Sequence, residues 1–103
     1  MIDWECVTGF EWDEGNSRKN AEKHTVSQSE AEEVFFNEPL LILEDAKHSQ
    51  VEPRFHALGK TDDARPLHIT FTIRRGGSLL RVISARNMHR KERAVYEQAQ
   101  RDT

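Results

Sequence analysis

The sequence predicts an α+β domain: an antiparallel β-sheet of about four strands, two N-terminal helices and one C-terminal helix. Three observations carry this. Leu67 to Arg74 alternates strictly, with Leu67, Ile69, Phe71 and Ile73 on one face and His68, Thr70, Thr72 and Arg74 on the other. Arg75-Gly76-Gly77-Ser78 then forms a turn into a second strand, Leu79 to Arg86, which returns antiparallel as a hairpin. Helical patterns lie before and after the strands, so the helices pack on the sheet.

Phe10-Glu11-Trp12 alternates as a short extended segment, and Asp13-Glu14-Gly15-Asn16 reads as a turn. Ser17 to His24 holds the helix formers Arg18, Lys19, Ala21, Glu22 and Lys23, a polar surface helix that Thr25-Val26 ends. Ser27-Gln28-Ser29-Glu30 has the capping-box pattern, with Ala31, Val34 and Phe35 as the buried stripe behind it. Asn37-Glu38-Pro39 stops that second helix. Leu40 to Leu43 is too short for another helix and reads as a buried strand; Arg54 to Leu58 is the next, ending at Gly59-Lys60. Longer loops are expected at Asp45–Gln50 and Lys60–Pro66. The last helix runs from about Met88 to Gln100, with Asn87 as its cap and Met88, Val95, Tyr96 and Ala99 as its apolar stripe.

A chain of 103 residues suits one domain, here 1–103, with a modest core. It shows no signal peptide and no stretch long enough to cross a membrane, and its one cysteine, Cys6, has no partner for a disulfide, so a cytoplasmic protein is expected. The net charge of −3 hides an asymmetry: residues 1–63 hold 15 acids and 6 bases, residues 64–103 hold 3 acids and 9 bases. Either the halves pair internally, or a basic site for phosphate or an acidic partner sits on an acidic body.

The five histidines, at 24, 48, 56, 68 and 89, include no pair at the i, i+4 spacing of a helical zinc site. No glycine-rich phosphate loop and no Gly-x-Ser-x-Gly elbow occur, so neither nucleotide-triphosphate chemistry nor a serine hydrolase is supported. No metal or other cofactor is expected. Arginines remain. Those on one sheet face can hold a phosphodiester bidentately and neutralise the charge that grows in its transition state. RNA supplies its own nucleophile, the 2′-hydroxyl, so a base, a proton donor and cations suffice. By period, Arg81 and Arg86, five residues apart, face opposite sides of the last strand.

These residues resemble the BrnT toxins of bacterial type II toxin–antitoxin systems from Phe10 to Tyr96. The first block of the resemblance is Trp12-Asp13, Asn20, Lys23-His24-Thr25-Val26-Ser27, Glu30-Ala31, Val34-Phe35 and Pro39. The second is Glu52, Arg54 and Gly59, and the third is Ile83-Ser84-Ala85-Arg86, Glu92-Arg93 and Tyr96. The chain departs from the pattern at Asn16, where lysine is frequent, at Thr25, in place of glycine, and at Gln28, in place of an aromatic. The resemblance implies a RelE-like fold and a metal-independent endoribonuclease that arrests translation. It also implies neutralisation by a BrnA-type ribbon-helix-helix antitoxin, with operator DNA bound only through the toxin–antitoxin complex. A non-catalytic module whose basic strip docks a protein partner is the alternative.

On these grounds Arg54, Arg74 and Arg86 are expected at the scissile phosphate or its neighbours. Glu52, two residues from Arg54 and on the same face, is expected either as general base or as the ion-pair partner that orients Arg54. His24 is expected either in proton transfer or as a charge at a helix C-terminus. Tyr96 is expected either to turn its hydroxyl into the groove or to pack in the helix stripe. Lys19, Lys23, Arg81, Arg90 and Arg93 are the expected RNA contacts.

Overall fold

The computed structural model describes residues 2–48 and 52–102. Eight elements follow in order: β1 (Gly9–Trp12), α1 (Glu14–His24), α2 (Gln28–Glu33), β2 (Leu41–Glu44), β3 (Arg54–Lys60), β4 (Pro66–Arg74), β5 (Leu79–Asn87) and α3 (Arg90–Arg101). Short 3₁₀ turns follow α2 and β4 and span Ala46–His48. Ser49 and Gln50 of the loop expected at 45–50 lie outside the described residues.

The α+β class holds, but the sheet has five strands in the order β1-β5-β4-β3-β2, and β1 runs parallel to β5. The Phe10–Trp12 segment is thus a sheet member that the sequence reading left outside the four-stranded count. The Arg75–Gly77 turn requires its glycines for backbone reasons: Gly76 and Gly77 have φ of 67° and 100°, with open space around both.

The main core lies on one face. Phe55, Ala57, Ile69, Phe71, Leu80, Val82 and Ala85 from the strands pack against Val26, Ala31 and Val34. The capping box forms as the sequence predicts: Glu30 N–H donates to Ser27 Oγ (3.1 Å) and Ser27 N–H to Glu30 Oε1 (3.1 Å). Helix α1 starts earlier than Ser17, because Asp13 caps it by accepting from the Asn16 N–H (3.1 Å). It then lies along β5 beyond the end of β1, where Asn20 Oδ1 accepts the Ala85 N–H (3.1 Å) that no strand neighbour takes.

A second, smaller cluster of Leu58, Met88 and Tyr96, with Leu41, sits on the opposite face under α3. Two expectations for α3 are corrected. His89 is its N-cap, with its N–H bonded to Glu92 Oε1 (2.8 Å), whereas Asn87 ends β5 and accepts from Arg65 Nε. Val95 is exposed, since the helix touches the sheet through a narrow seam only. Strand β2 is likewise not fully buried. It is an edge strand paired to β3 alone, and Leu43 and Glu44 are exposed.

Gly59 is where the 3₁₀ turn after α2 closes on the sheet: a Cβ there would lie 2.5 Å from Val34 Cγ1 and 3.3 Å from the Val34 carbonyl. Gly59→Ala is therefore expected to destabilise the fold by about 1–3 kcal/mol. Adding Val34→Ala should recover part of the loss, and denaturant melts of the single and double variants measure both steps.

Candidate active site on the polar sheet face

The face opposite the main core carries the sheet residues expected at the site. The register lays its residues in rows: Leu58, His68 and Arg86; then His56, Thr70 and Ser84; then Arg54, Thr72, Arg81 and Glu11. A β-bulge makes the third row possible. The β4–β5 register shifts between Thr70 and Phe71, so that Ser84 pairs with Thr70 and Val82 with Phe71, leaving Ile83 as the extra residue. Arg81 and Arg86 therefore share one face, although their spacing of five places them on opposite sides of a regular strand. This corrects the expectation from period alone.

At one end of the strip the groups are tightly joined. Arg86 donates to both oxygens of Glu92, at 2.8 and 3.0 Å, in a bidentate pair. His68 Nε2 lies 3.7 Å from Glu92 Oε2. The His56 and His68 rings are 4.8 Å apart, centroid to centroid. His56 in turn bonds Thr70 Oγ1 through Nδ1 (3.0 Å) and Asp45 Oδ2 through Nε2 (2.9 Å), and Asp45 also holds His48 Nδ1 (2.8 Å).

The environment tunes these groups. Burial, and then the Arg86 charge, push the His68 pKa down from 6.5 to about 4. The Arg86 hydrogen bonds, and then the His89 N–H, hold Glu92 at about 2 against the opposing effect of burial. Burial raises the Asp45 carboxyl, but the hydrogen bonds from His48 and His56 outweigh it and leave the group below its ordinary value. The cluster at neutral pH is thus a firmly ionised carboxylate, a guanidinium fork and an uncharged imidazole. A phosphate placed there would have to exchange with Glu92 on the Arg86 fork, beside imidazoles that can transfer protons. A cleft of about 430 Å³ on another part of the surface is lined by Trp4, Phe10, Phe35 and Leu80 among others; it holds no titratable side chain and cannot do proton chemistry.

Comparison with known proteins gives the family and the fold. The family model described as "Ribonuclease toxin, BrnT, of type II toxin-antitoxin system" matches residues 12–92. The chain belongs to the BrnT family. Its fold is similar to the 1.1 Å crystal structure of the Brucella abortus ribonuclease toxin BrnT, with a TM-score of 0.63 and 22% identity over 82% of this chain and 100% of that one. A comparison with curated proteins finds no match.

Many of the BrnT motif residues hold the fold together. Trp12 Nε1 donates to Glu32 Oε2 (2.8 Å), Asp13 and Ser27 cap helices, Asn20 closes the β5 edge, and Gly59 lets Val34 in. Tyr96 belongs with them. It is 3% exposed, its hydroxyl donates to the Pro39 carbonyl (2.7 Å), and burial raises its pKa, so it does not turn its hydroxyl into the groove. Tyr96→Phe should cost about 1 kcal/mol of stability. Cleavage per folded molecule should stay unchanged; a lower rate at an unaltered melting temperature would return the hydroxyl to the site.

The predicted arginines do not converge on one phosphate. Along β4, the row of Arg86 and Arg74 itself are six residues apart, roughly 20 Å. Arg54 lies between them, opposite Thr72. Glu52 pairs with Arg74 (3.1 Å) where Arg54 was the expected partner. Arg81 is bound to Glu11 (3.1 Å) and Asp13 (3.3 Å). Arg65 pairs with Glu30 (2.9 Å). Each of these pairs joins a base from 64–103 to an acid from 1–63, so internal pairing accounts for much of the charge asymmetry. Arg90 and Arg93 are exposed on α3 and make no ion pair among the described residues.

On α1, Lys19 and Lys23 are exposed, and neither they nor the His24 ring makes a hydrogen bond or ion pair among the described residues. His24 contributes its backbone carbonyl, which accepts from Arg65 Nη2 (3.2 Å). Its place in the last turn of α1 fits the helix-terminus role. Sequence reasoning gave no site role to His56, Asp45 or Glu92, although Glu92 stands in the third block of the resemblance. The available signal was the alternation of β3, which puts His56 on the face of Arg54 and, once the β3–β4 hairpin is registered, beside His68.

Proposed function

We propose that this BrnT-family chain is an endoribonuclease toxin that cleaves RNA without a metal ion and thereby arrests translation in the cytoplasm. The observation that supports it is the cluster of Arg86, His68, His56 and Glu92 on the polar sheet face. It combines a guanidinium fork for phosphate with two imidazoles for proton transfer, the set that a reaction using the RNA's own 2′-hydroxyl requires. In this reading Arg86 holds the scissile phosphate, while Arg54, Arg81 and Arg74 along the strip and Arg90 and Arg93 on α3 steer the neighbouring ones. Family membership makes an antitoxin the natural partner. A BrnA-type ribbon-helix-helix protein is the form we propose, with operator DNA bound only through the complex.

The test is cleavage of purified RNA by the purified chain, with and without chelator. Equal cleavage in both is expected. Activity that vanishes with chelator and returns with magnesium would remove metal independence, and no cleavage in either would remove the ribonuclease reading. One observation favours a second reading, a non-catalytic module that docks a protein partner. Arg74, Arg81 and Arg86 are each already paired with an acid of this chain, so the strip is less positive than its arginines alone suggest.

A further inference from the structure

We propose that His56 and His68 are the acid–base pair of the cleavage reaction: His68 takes the proton of the 2′-hydroxyl, and His56 returns a proton to the departing 5′-oxygen. This rests on the ribonuclease reading above and assigns its proton transfers to named atoms.

The two histidines stand on adjacent strands as diagonal neighbours, since His56 pairs with Thr70 and His68 lies two residues before it. Their rings meet at 4.8 Å with a tilt of 40°. His68 is directly opposite Arg86 on β5, so the pair sits beside the guanidinium fork that would hold the phosphate. Among the described residues, the charged and titratable groups around them are Asp45 and His48 from the 45–48 segment, Arg86 from β5 and Glu92 from α3.

The two rings are set up differently. His56 is fixed on both sides. Asp45 accepts from Nε2 and lies ready to oppose the charge of the imidazolium, and Nδ1 points to Thr70 Oγ1. That ring is oriented to carry a proton and release it from Nδ1. His68 has a side chain only 10% exposed, and its buried Nδ1 has no hydrogen-bond partner among the described residues. Its surroundings keep the ring uncharged, so Nε2 is the atom that can accept a proton. A phosphate seated on Arg86 cancels part of the positive field that His68 feels and makes the ring more basic when substrate is present.

The step balances without a co-reactant. The 2′-hydroxyl proton passes to His68 Nε2, the 2′-oxygen bonds to phosphorus, and the bond from phosphorus to the 5′-oxygen breaks. The 5′-oxygen takes the proton from His56 Nδ1. The products are a 2′,3′-cyclic phosphate and a 5′-hydroxyl, and exchange with water resets both rings.

The experiment compares the full chain with H56Q and H68Q on two substrates, ordinary RNA and the same RNA with sulfur as the 5′ leaving atom, which departs without protonation. On ordinary RNA each variant should fall by about 100-fold or more. On the sulfur substrate H56Q should return to near the unsubstituted rate, and H68Q should not. Variants that keep the ordinary rate within about threefold overturn the acid–base proposal while leaving the ribonuclease reading intact. Failure of H56Q to recover overturns the acid role, and recovery of H68Q overturns the base role. If the unsubstituted chain cleaves neither substrate, the ribonuclease reading itself has failed. Because H68Q alters a buried ring, the unsubstituted chain is also titrated by NMR with a non-cleavable 2′-deoxy oligonucleotide. Shifts of both ring signals are expected, and their absence overturns the proposal.

Discussion

Arg86→Ala is expected to lower RNA cleavage by about 30- to 1000-fold, the equivalent of about 2–4 kcal/mol of transition-state stabilisation. Arg86 is the cation in direct register with His68, and it presents two terminal nitrogens to one carboxylate in the geometry that a phosphate also accepts. The same substitution strands Glu92, which lies a quarter exposed and, among the described residues, keeps its bond from His89 and the long contact to His68. A stability loss of about 1–3 kcal/mol should therefore accompany the activity loss. The two effects separate in a second variant. Arg86→Ala with Glu92→Ala removes the stranded carboxylate, so melting should recover in part while cleavage does not. Arg86→Lys keeps the charge but not the fork, and should fall between the parent and alanine. Rates per folded molecule and thermal melts of the four proteins decide the matter: a folded Arg86→Ala that cleaves at the parental rate leaves Arg86 with a structural role only.

Local signals in the sequence were legible because the forces behind them are local. The Ser27–Glu30 box needs four consecutive residues, and the alternation of Leu67–Arg74 needs only one strand with one face on a core. The glycines after Arg75 mark backbone angles that few other residues adopt. What stayed hidden depends on pairing between distant segments. Phe10–Trp12 is too short to declare a partner, and its parallel union with β5 is fixed by the crossover through the rest of the fold. The bulge at Ile83 is invisible where apolar residues flank Arg81 in pairs, Leu79-Leu80 before it and Val82-Ile83 after it, yet it decides which way Arg81 points.

The site was half legible for the same reason. The polar side of β4 could be read from period, and Arg54 and Arg86 could be picked out by the family resemblance, but period alone did not decide whether Arg86 or Arg81 shares that side. Whether those arginines were free could not be read, because their acids come from elsewhere in the chain: Glu11 and Asp13 for Arg81, Glu52 for Arg74, Glu92 for Arg86. Thr25 shows the converse case. Its φ of 54° is the left-handed conformation that the departure from glycine called into question. The strain is offset by a residue 40 positions away, as Arg65 donates to the Thr25 carbonyl (2.9 Å), to Thr25 Oγ1 (3.2 Å) and to Glu30 (2.9 Å).

Acid should unfold this protein in two overlapping stages, each set by one member of the cluster. His68 has a folded pKa of about 4 against an ordinary 6.5. Between those values the unfolded chain binds a proton that the folded chain refuses, so stability is full above 6.5 and declines as pH falls towards 4. For a ring buried to this degree the loss is about 2–3 kcal/mol. Glu92 acts in the next window. Its folded pKa of about 2 lies below the ordinary 4.5, so the stability from its pairing is full above 4.5 and disappears as pH falls through 2. That stage is worth about 2 kcal/mol, since the carboxylate keeps part of its hydration. The stages overlap near pH 4, where protonation of His68 places a positive ring 3.7 Å from the still ionised Glu92 and softens the first loss. Chemical denaturation at a series of pH values resolves them. His68→Leu should flatten chiefly the upper window, while Glu92→Gln should flatten the lower window and deepen the upper one, because Glu92 favours the protonated His68 ring. A parent protein whose stability is level from pH 6.5 to 4 would mean that His68 takes up its proton without resistance, and that the uncharged ring required of a base at neutral pH is not enforced by the fold.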